Sequence, residues 1–178
     1  MKTKIIIIGF IVLFHSIAYA QKDPKAQEML DKVADLSKSY DDISMEFTYT
    51  YFNLQDESEY EQKGKAILKD DKYVIDLESS KMFFDGSTLH NYIPDANEVT
   101  VSEPTESYDE LFLSNPSRIF VMYQKDFKYQ YKGEEVIDGI SYQRVDMYPE
   151  SLDRDYSIVK LWITSEFHIA KIHLTGKM

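Results

Sequence analysis

The side chains able to bind a metal or to act as bases are few and scattered along the chain. Outside the N-terminal region the histidines are His90, His168 and His173, and all three fall in segments with a strand-like pattern. His168 and His173 are five residues apart, so a single strand would point them to opposite faces. A shared metal would therefore need ligands from distant parts of the chain. The sequence predicts neither a metal site nor a cofactor.

Carboxylates are abundant but form no recognisable catalytic pair. The adjacent acids Asp41-Asp42, Asp70-Asp71 and Glu134-Glu135 fall in expected turns, where such pairs are normally solvated. The chain contains no Gly-x-Ser-x-Gly elbow and no phosphate-binding glycine-rich loop. It also has no cysteine, which excludes disulfides, thiolate catalysis and cysteine-bound metals. We therefore do not expect an enzyme. The alternative is a secreted hydrolase, in which the fold brings two distant carboxylates together as a catalytic pair.

The first 20 residues have the pattern of a secretory signal peptide. Lys2 and Lys4 precede the apolar run Ile5–Phe14, and Ala18-Tyr19-Ala20 forms a small-x-small cleavage site. We expect cleavage after Ala20 and a periplasmic mature protein, the alternative being an uncleaved anchor. Residues 21–178 have the size of one domain.

The charge of the chain excludes several kinds of partner. Loss of the two lysines of the signal peptide takes the formal net charge from −11 to −13. A surface this acidic argues against nucleic acid and against stable docking on anionic lipid. Hydrophobic residues make up 43% of the chain and aromatic residues 14%, which indicates a folded domain with surplus apolar surface.

Hydrophobic spacing predicts one helix followed by a series of short strands. Asp23-Pro24 is typical of a helix start, and apolar residues recur at helical intervals through Pro24–Tyr40. From Ile43 the period changes to two, and about nine antiparallel strands follow up to residue 175. We expect a two-residue type I′ hairpin at Asp85-Gly86 and a loop over residues 133–139. A helical insertion begins near Pro116.

The expected architecture is mainly β with helices. A meander of this length curls, because sheets twist and open edges invite aggregation. We predict an incomplete antiparallel β-barrel, or half-barrel, in which residues 24–40 and a helical lid from residues 104–125 cover an apolar cavity. The convex side is expected to be polar.

Four short motifs make this chain resemble the outer-membrane lipoprotein carrier (LolA-type) family. The most specific is the Asp-Gly-x-Thr-Leu hairpin, followed by Tyr-x-Pro-x-x-Asn-x-Val. Weaker likenesses occur at residues 115–120, 127–131 and 158–163, so the resemblance spans most of the mature chain. The motifs are Gly64-Lys-Ala-Ile-Leu-Lys69, Lys72-Tyr-Val-Ile-Asp-Leu77, Phe84-Asp-Gly-Ser-Thr-Leu89 and Asn91-Tyr-Ile-Pro-Asp95 with Asn97-Glu-Val99.

The resemblance implies a periplasmic carrier, or chaperone, without cofactor or chemistry. Such a carrier takes the acyl chains of lipoproteins released by an inner-membrane ABC transporter and delivers them to the outer membrane, to an acceptor protein where one exists. The implied protein is a monomer that binds no nucleic acid. A related module that binds or senses another amphiphile in the envelope is the alternative.

Two departures from the family pattern concern the lid and the C-terminus. Proteobacterial members carry an arginine that holds the lid closed, and the corresponding position here falls on Asp70 or Asp71. The latch must therefore differ from theirs. The family also continues beyond the strand of Trp162 with further strands, so the resemblance suggests that the domain is C-terminally truncated.

The candidate acyl-chain residues are apolar and lie on the expected inner faces. For each of them ordinary core packing is the competing interpretation. From the helix they are Met29, Leu30, Val33 and Leu36; from the strands Met45, Phe47, Tyr49, Phe84 and Trp162; and from the lid Leu111, Phe112, Ile119, Phe120 and Met122.

Overall fold

The computed structural model describes residues 22–52, 57–103, 116–125, 127–154 and 156–176. The expected signal peptide and the lid residues Leu111 and Phe112 lie outside these ranges. No helix within them is long and apolar enough to cross a bilayer. The elements are helix α1 (Pro24–Lys38), strands β1 (Ile43–Phe52), β2 (Glu59–Lys69), β3 (Lys72–Leu77), β4 (Lys81–Phe84), β5 (Leu89–Ile93), β6 (Glu98–Ser102), β7 (Phe127–Ile137), β8 (Ile140–Pro149), β9 (Tyr156–Ile163) and β10 (Ile169–Gly176), and two 3₁₀ helices (Pro116–Phe120 and Met122–Gln124).

The described strands form two antiparallel sheets. The first sheet has the order β1-β2-β3-β4-β5-β6, and the second has the order β10-β9-β8-β7. Within each sheet, strands adjacent in sequence are neighbours in space, as in a meander. The prediction of a mainly β, incomplete barrel with an N-terminal helix is confirmed, because the described strands do not close into a barrel.

Helix α1 begins where the sequence indicates. Asp23 is the N-cap, and its carboxylate accepts hydrogen bonds from the backbone N–H of Lys25 at 2.9 Å and Ala26 at 3.3 Å. Pro24 occupies the first turn, where its missing N–H is not needed. The helix ends at Lys38, two residues before the expected Tyr40, and the Ser39 hydroxyl caps this end by donating to the Leu36 carbonyl at 2.7 Å.

Helix α1 covers the second sheet. Asp23 fixes its start there, since the Asp23 N–H donates to the Tyr129 carbonyl and the Asp23 carboxylate accepts from the Tyr131 N–H, both at 3.1 Å. We call the resulting buried cluster the second-sheet core. It contains Ala26, Leu30, Val33, Ala34, Ile119, Met122, Tyr123, Phe127, Tyr129, Val145, Met147, Tyr156, Val159, Leu161 and Ile163.

The β4–β5 hairpin exists, but its loop is longer than predicted. Phe84 pairs with Leu89, so four residues rather than two connect the strands. Gly86 has a φ of +102°, whereas Asp85 is not among the residues with positive φ, which a type I′ turn requires. The Asp85 carboxylate instead accepts from the N–H groups of Ser87 at 2.9 Å and Thr88 at 2.8 Å.

The prediction of a loop over residues 133–139 is wrong. Strand β7 runs through Ile137, with a register shift between Tyr131 and Gly133. The reversal into β8 is made by Asp138 and Gly139 alone, with φ of +52° and +79°. Positive φ at both central residues is the type I′ signature that the sequence had suggested at the other Asp-Gly pair.

The outer face of the first sheet is less polar than expected. Ile67, Val74, Phe83 and Val101 lie in one cross-strand row, and their exposed fractions are 52%, 36%, 42% and 60%. The neighbouring row on the same face carries charged side chains that form ion pairs with one another. In one of these pairs the Lys65 ammonium lies 2.6 Å from the Glu46 carboxylate. The prediction of a polar convex side therefore fails along one row.

Candidate functional site

We call the side of the first sheet against which Phe120 packs its inner face. Five of its residues, from β2 and β3, are buried and form the first-sheet core: Ala66, Leu68, Tyr73, Ile75 and Leu77. Around them lies a larger set of apolar side chains that are only half-buried. We call this set the apolar face; it comprises Ile43, Met45, Phe47, Met82, Phe84 and Leu89.

The half-burial of the apolar face sets it apart from the second-sheet core. The buried residues of α1 all belong to the second-sheet core, which leaves none of them to cover the first sheet. Of the described residues outside the first sheet, Phe120 alone is recorded against the first-sheet core. A large apolar surface without full cover is what a binding site for an apolar ligand offers.

Gly64 allows the ring of Phe47 to lie across strand β2. The two residues are paired between β1 and β2, and a Cβ on Gly64 would come within 2.5 Å of the Phe47 Cζ atom. The same Cβ would approach the Leu77 Cδ2 atom to 2.7 Å. Only glycine leaves room for both side chains, so Gly64 determines how the Phe47 ring sits on the apolar face.

Tyr73 and Phe84 form an aromatic stack at the centre of the inner face. Their ring centroids are 5.1 Å apart with an interplanar angle of 29°, a favourable offset arrangement. Burial raises the pKa of the Tyr73 phenol to about 12. The inner face is therefore uncharged at this point across the physiological pH range.

Phe120 lies where the two cores meet. It is half-buried and packs against both of them, whereas Ile119 and Met122 are buried in the second-sheet core. The next residue in that core, Tyr123, donates a hydrogen bond of 2.5 Å from its hydroxyl to the Asp31 carboxylate on α1. The segment is thus fastened to α1 and presents Phe120 to the apolar face.

The helix residues proposed for the cavity lie in the second-sheet core instead. Leu30 and Val33 are buried there, and Met29 packs against it. Leu36 is half-buried on the same helix. Leu30 and Val33 share this packed core with Ile119 and Met122. The structure therefore separates the helix candidates from the apolar face.

Trp162 lies on the opposite face of β9 from the second-sheet core. It pairs with Arg144 and Lys171, whereas Leu161, its neighbour in sequence, points into the core. The Arg144 guanidinium and the Lys171 ammonium lie 5.5 Å and 4.9 Å from the Trp162 ring. Trp162 is 6% exposed because these long side chains cover it. The structure therefore does not bring Trp162 together with the candidate residues that it describes on the apolar face.

The remaining candidates divide between the inner face and the segment that the structure does not describe. Met45, Phe47 and Phe84 belong to the apolar face, and Tyr49 continues the same side of β1. Leu111 and Phe112 lie outside the described residues. That any of these residues binds an acyl chain remains a prediction.

Sequence analysis missed the centre of the inner face. Tyr73, Ile75 and Leu77 alternate with exposed or half-buried residues in β3, and this period of two was visible in the sequence. Met82 and Leu89 flank the Asp-Gly hairpin and pack against the same core. The alternation was the signal that could have found them.

The histidines are dispersed: His90 lies in β5 and His173 in β10, whereas His168 precedes β10 rather than lying in a strand as expected. The His168 Nε2 atom lies 3.1 Å from the Tyr40 hydroxyl, at the end of α1. Burial lowers the pKa of His173, and the charges of Lys160, Lys171 and Arg144 lower it further. Among the described residues no group of three or more metal-ligating side chains comes together.

No family model and no curated protein matches the sequence, but solved structures match the fold. A DUF1329 family protein from Desulfovibrio piger has a TM-score of 0.51 and 17% identity, over 88% of this chain and 75% of that one. A LolA superfamily protein from Nitrosomonas europaea has a TM-score of 0.41 and 16% identity, over 85% and 73%. The lipoprotein LppX from Mycobacterium tuberculosis has a TM-score of 0.48 and 15% identity, over 86% and 88%.

A LolA superfamily protein is thus among the solved structures whose fold this chain resembles, as the sequence motifs predicted. At 17% identity or less the similarity shows the fold alone. The fold and the site together define an incomplete antiparallel barrel whose first sheet carries a half-buried apolar face.

Proposed function

We propose that this protein is a periplasmic carrier that binds the acyl chains of lipoproteins on the apolar face. It would receive them from an inner-membrane ABC-type releasing complex and deliver them to the outer membrane. The observation that carries the proposal is the half-burial of six apolar side chains around the first-sheet core, away from α1. The signal-peptide pattern of residues 1–20 supports an extracytoplasmic location.

The energetics of acyl transfer favour a surface of this kind. Each methylene moved from water to an apolar environment gains about 0.8 kcal/mol, so a chain of about 15 methylenes is worth about 12 kcal/mol. A scattered set of exposed apolar residues would recover little of this. A contiguous apolar face with Phe120 at its border would cover more of the chain, provided the cargo can enter and leave.

The test is isolation of the mature protein from the periplasm together with its cargo. We expect triacylated lipoprotein to co-purify with the wild-type protein and to be lost from Met45→Glu, which places a charge on the apolar face. The matched control is Thr48→Glu, because Thr48 lies on the exposed side of the same strand. A Thr48→Glu protein that lost its cargo as fully as Met45→Glu would contradict the assignment of the site.

The identity of the cargo decides between carrier and amphiphile-binding module. Recovery of free lipid without any lipoprotein would reject the carrier and favour the module that binds or senses another amphiphile. A photocrosslinking residue at position 120 should label acyl chains whether the cargo is a lipoprotein or a free lipid. Absence of any label at Phe120 would remove this residue from the site.

A further inference from the structure

The inner face of the first sheet changes from apolar to polar along a single cross-strand row. The row begins on β1 with Met45 and continues through apolar residues on β2, β3 and β4. It then reaches Asn91 on β5 and Thr100 on β6. The complete row is Met45, Ala66, Ile75, Met82, Asn91 and Thr100.

The neighbouring row shows the same change. Ile43, Leu68, Tyr73, Phe84 and Leu89 run across β1 to β5, and Ser102 follows on β6. In these two rows the apolar side chains run from β1 to β4 and, at Leu89, to β5. The hydrogen-bonding side chains are Asn91 on β5 and Thr100 and Ser102 on β6. An amphiphile bound across the strands would place its apolar part on the apolar side chains and its polar part at the hydrogen-bonding ones.

Asn91 carries an unused hydrogen-bond acceptor at the point where the polarity changes. Its Oδ1 atom is buried and has no hydrogen-bond partner among the described residues. A buried acceptor without a donor is unfavourable in a folded protein, and such groups are rare in native structures. The position of this acceptor, beside Met82 at the edge of the apolar face, suits a donor carried by the ligand.

The charges near Asn91 indicate which donor fits. The side chain of Glu98 lies on the same side of the sheet, at the end of β6, so an anionic head group would be repelled. A cationic donor would be drawn to the exposed Glu98 carboxylate rather than to the buried Oδ1 atom, where it would lose its hydration. A neutral amide N–H or hydroxyl avoids both costs.

We propose that Asn91 accepts a hydrogen bond from a neutral amide N–H or hydroxyl next to the acyl chain of a ligand on the apolar face. The inference rests on the proposed acyl-chain binding and adds a specificity-determining residue to it. The protein would thereby prefer acyl chains attached through an amide or carrying a hydroxyl over acyl chains whose polar end only accepts hydrogen bonds.

The test uses two probes that differ by one donor. N-methylpalmitamide and methyl palmitate share the same acyl chain and differ in an N–H in place of an ester oxygen. Both are measured by displacement of a fluorescent fatty-acyl probe from the mature protein. Because the two probes also differ in hydration, the readout is the ratio of their affinities in each variant relative to wild type.

We expect Asn91→Leu to reduce the preference for the amide by about tenfold, the effect of one buried hydrogen bond and its unpaired acceptor. Asn91→Asp keeps an acceptor oxygen and is expected to retain most of the preference. His90→Ala is the control, since His90 lies on the same strand but on the outer face. Circular dichroism verifies that each variant is folded.

The outcomes separate this inference from the proposed function. An affinity ratio that is unchanged in Asn91→Leu, or reduced equally in Asn91→Leu and Asn91→Asp, would overturn the role of Asn91 while acyl binding stands. If neither the fluorescent fatty-acyl probe nor either competitor binds the wild-type protein, acyl binding itself is overturned, and this inference with it.

Discussion

Gly64 shows how a single missing Cβ determines the form of the apolar face. Adding a methyl group would press on the ring of Phe47 and on Leu77, and overpacking of this kind costs about 1–3 kcal/mol. The opposing gain from a less flexible unfolded chain is about 0.4–1 kcal/mol. We therefore expect Gly64→Ala to lower the free energy of unfolding by about 1 kcal/mol in urea denaturation.

The proposed cause can be isolated with a second substitution. Phe47→Leu removes the ring that the new methyl group would meet, so Gly64→Ala should cost less in that background than in the wild type. Equal costs in the two backgrounds would show that the Phe47 ring is not what Gly64 accommodates.

Trp162 shows how the face of a strand decides the role of a residue. Its ring lies between Arg144 and Lys171, on the side of β9 away from the second-sheet core. We expect Trp162→Phe to leave acyl-probe affinity unchanged within about twofold, since the apolar face lies on the other sheet. A clear loss of affinity in this variant, with Phe47→Ala as the positive comparison, would contradict the placement of the site.

At the scale of elements, the start of α1 is attached to β7 through Asp23, whose carboxylate accepts from the Tyr131 N–H. Burial of Asp23 raises its pKa, but hydrogen bonds from the N–H groups of Tyr131, Ala26 and Lys25, together with the Lys25 charge, outweigh this and lower the pKa below its ordinary value. A lowered folded-state pKa means that the stabilisation is complete above the unfolded-state pKa, near 3.8. It is lost as the pH falls through the folded-state value.

Asp23 is therefore expected to contribute to acid unfolding. Asp23→Ala should lower the free energy of unfolding at neutral pH by about 1 kcal/mol, as for a lost N-cap. Asp23→Asn keeps an acceptor oxygen but cannot titrate, so its stability should fall less than that of the wild type when the pH drops below about 4. Urea denaturation across this pH range measures both effects.

Asp41→Asn, at an exposed position after α1, is the control for loss of charge. If the free energy of unfolding falls with pH equally steeply in Asp23→Asn and in the wild type, the role of Asp23 is rejected.

Local patterns predicted the elements better than they predicted the packing between them. The period of two located most strands, and Asp23-Pro24 located the start of α1, because both signals act within a few residues. The alternation in β9 could not reveal which face Trp162 takes, since Ile158–Ile163 is largely apolar on both sides. Whether α1 covers the first or the second sheet is set by long-range contacts such as that of Asp23 with Tyr131. The apolar face was found only in part for the same reason.

At the scale of the whole molecule, the two sheets have separate buried cores in the part of the chain that the structure describes. The second-sheet core is covered by α1, while the first-sheet core is bordered by half-buried residues. Among the described residues Phe120 is the one recorded against both cores. Such an arrangement suits a binding protein, because the uncovered sheet can take up a ligand while the other stays packed.

Phe120 is therefore expected to couple the unfolding of the two sheets. Phe120→Ala should lower the free energy of unfolding by about 2 kcal/mol, less than the 3–5 kcal/mol typical of a fully buried phenylalanine because Phe120 is half-buried.

The chain has one tryptophan, Trp162, so its fluorescence reports on the second sheet alone, whereas far-UV circular dichroism reports on the strands of both sheets. In the wild type we expect the two transitions in urea to coincide. In Phe120→Ala the circular dichroism transition should begin at lower urea than the fluorescence transition, because the first sheet lacks the cover of α1. Val121→Ala, at the exposed neighbouring position, should leave both transitions coincident. Coincident transitions in Phe120→Ala would show that the two sheets are coupled through other contacts.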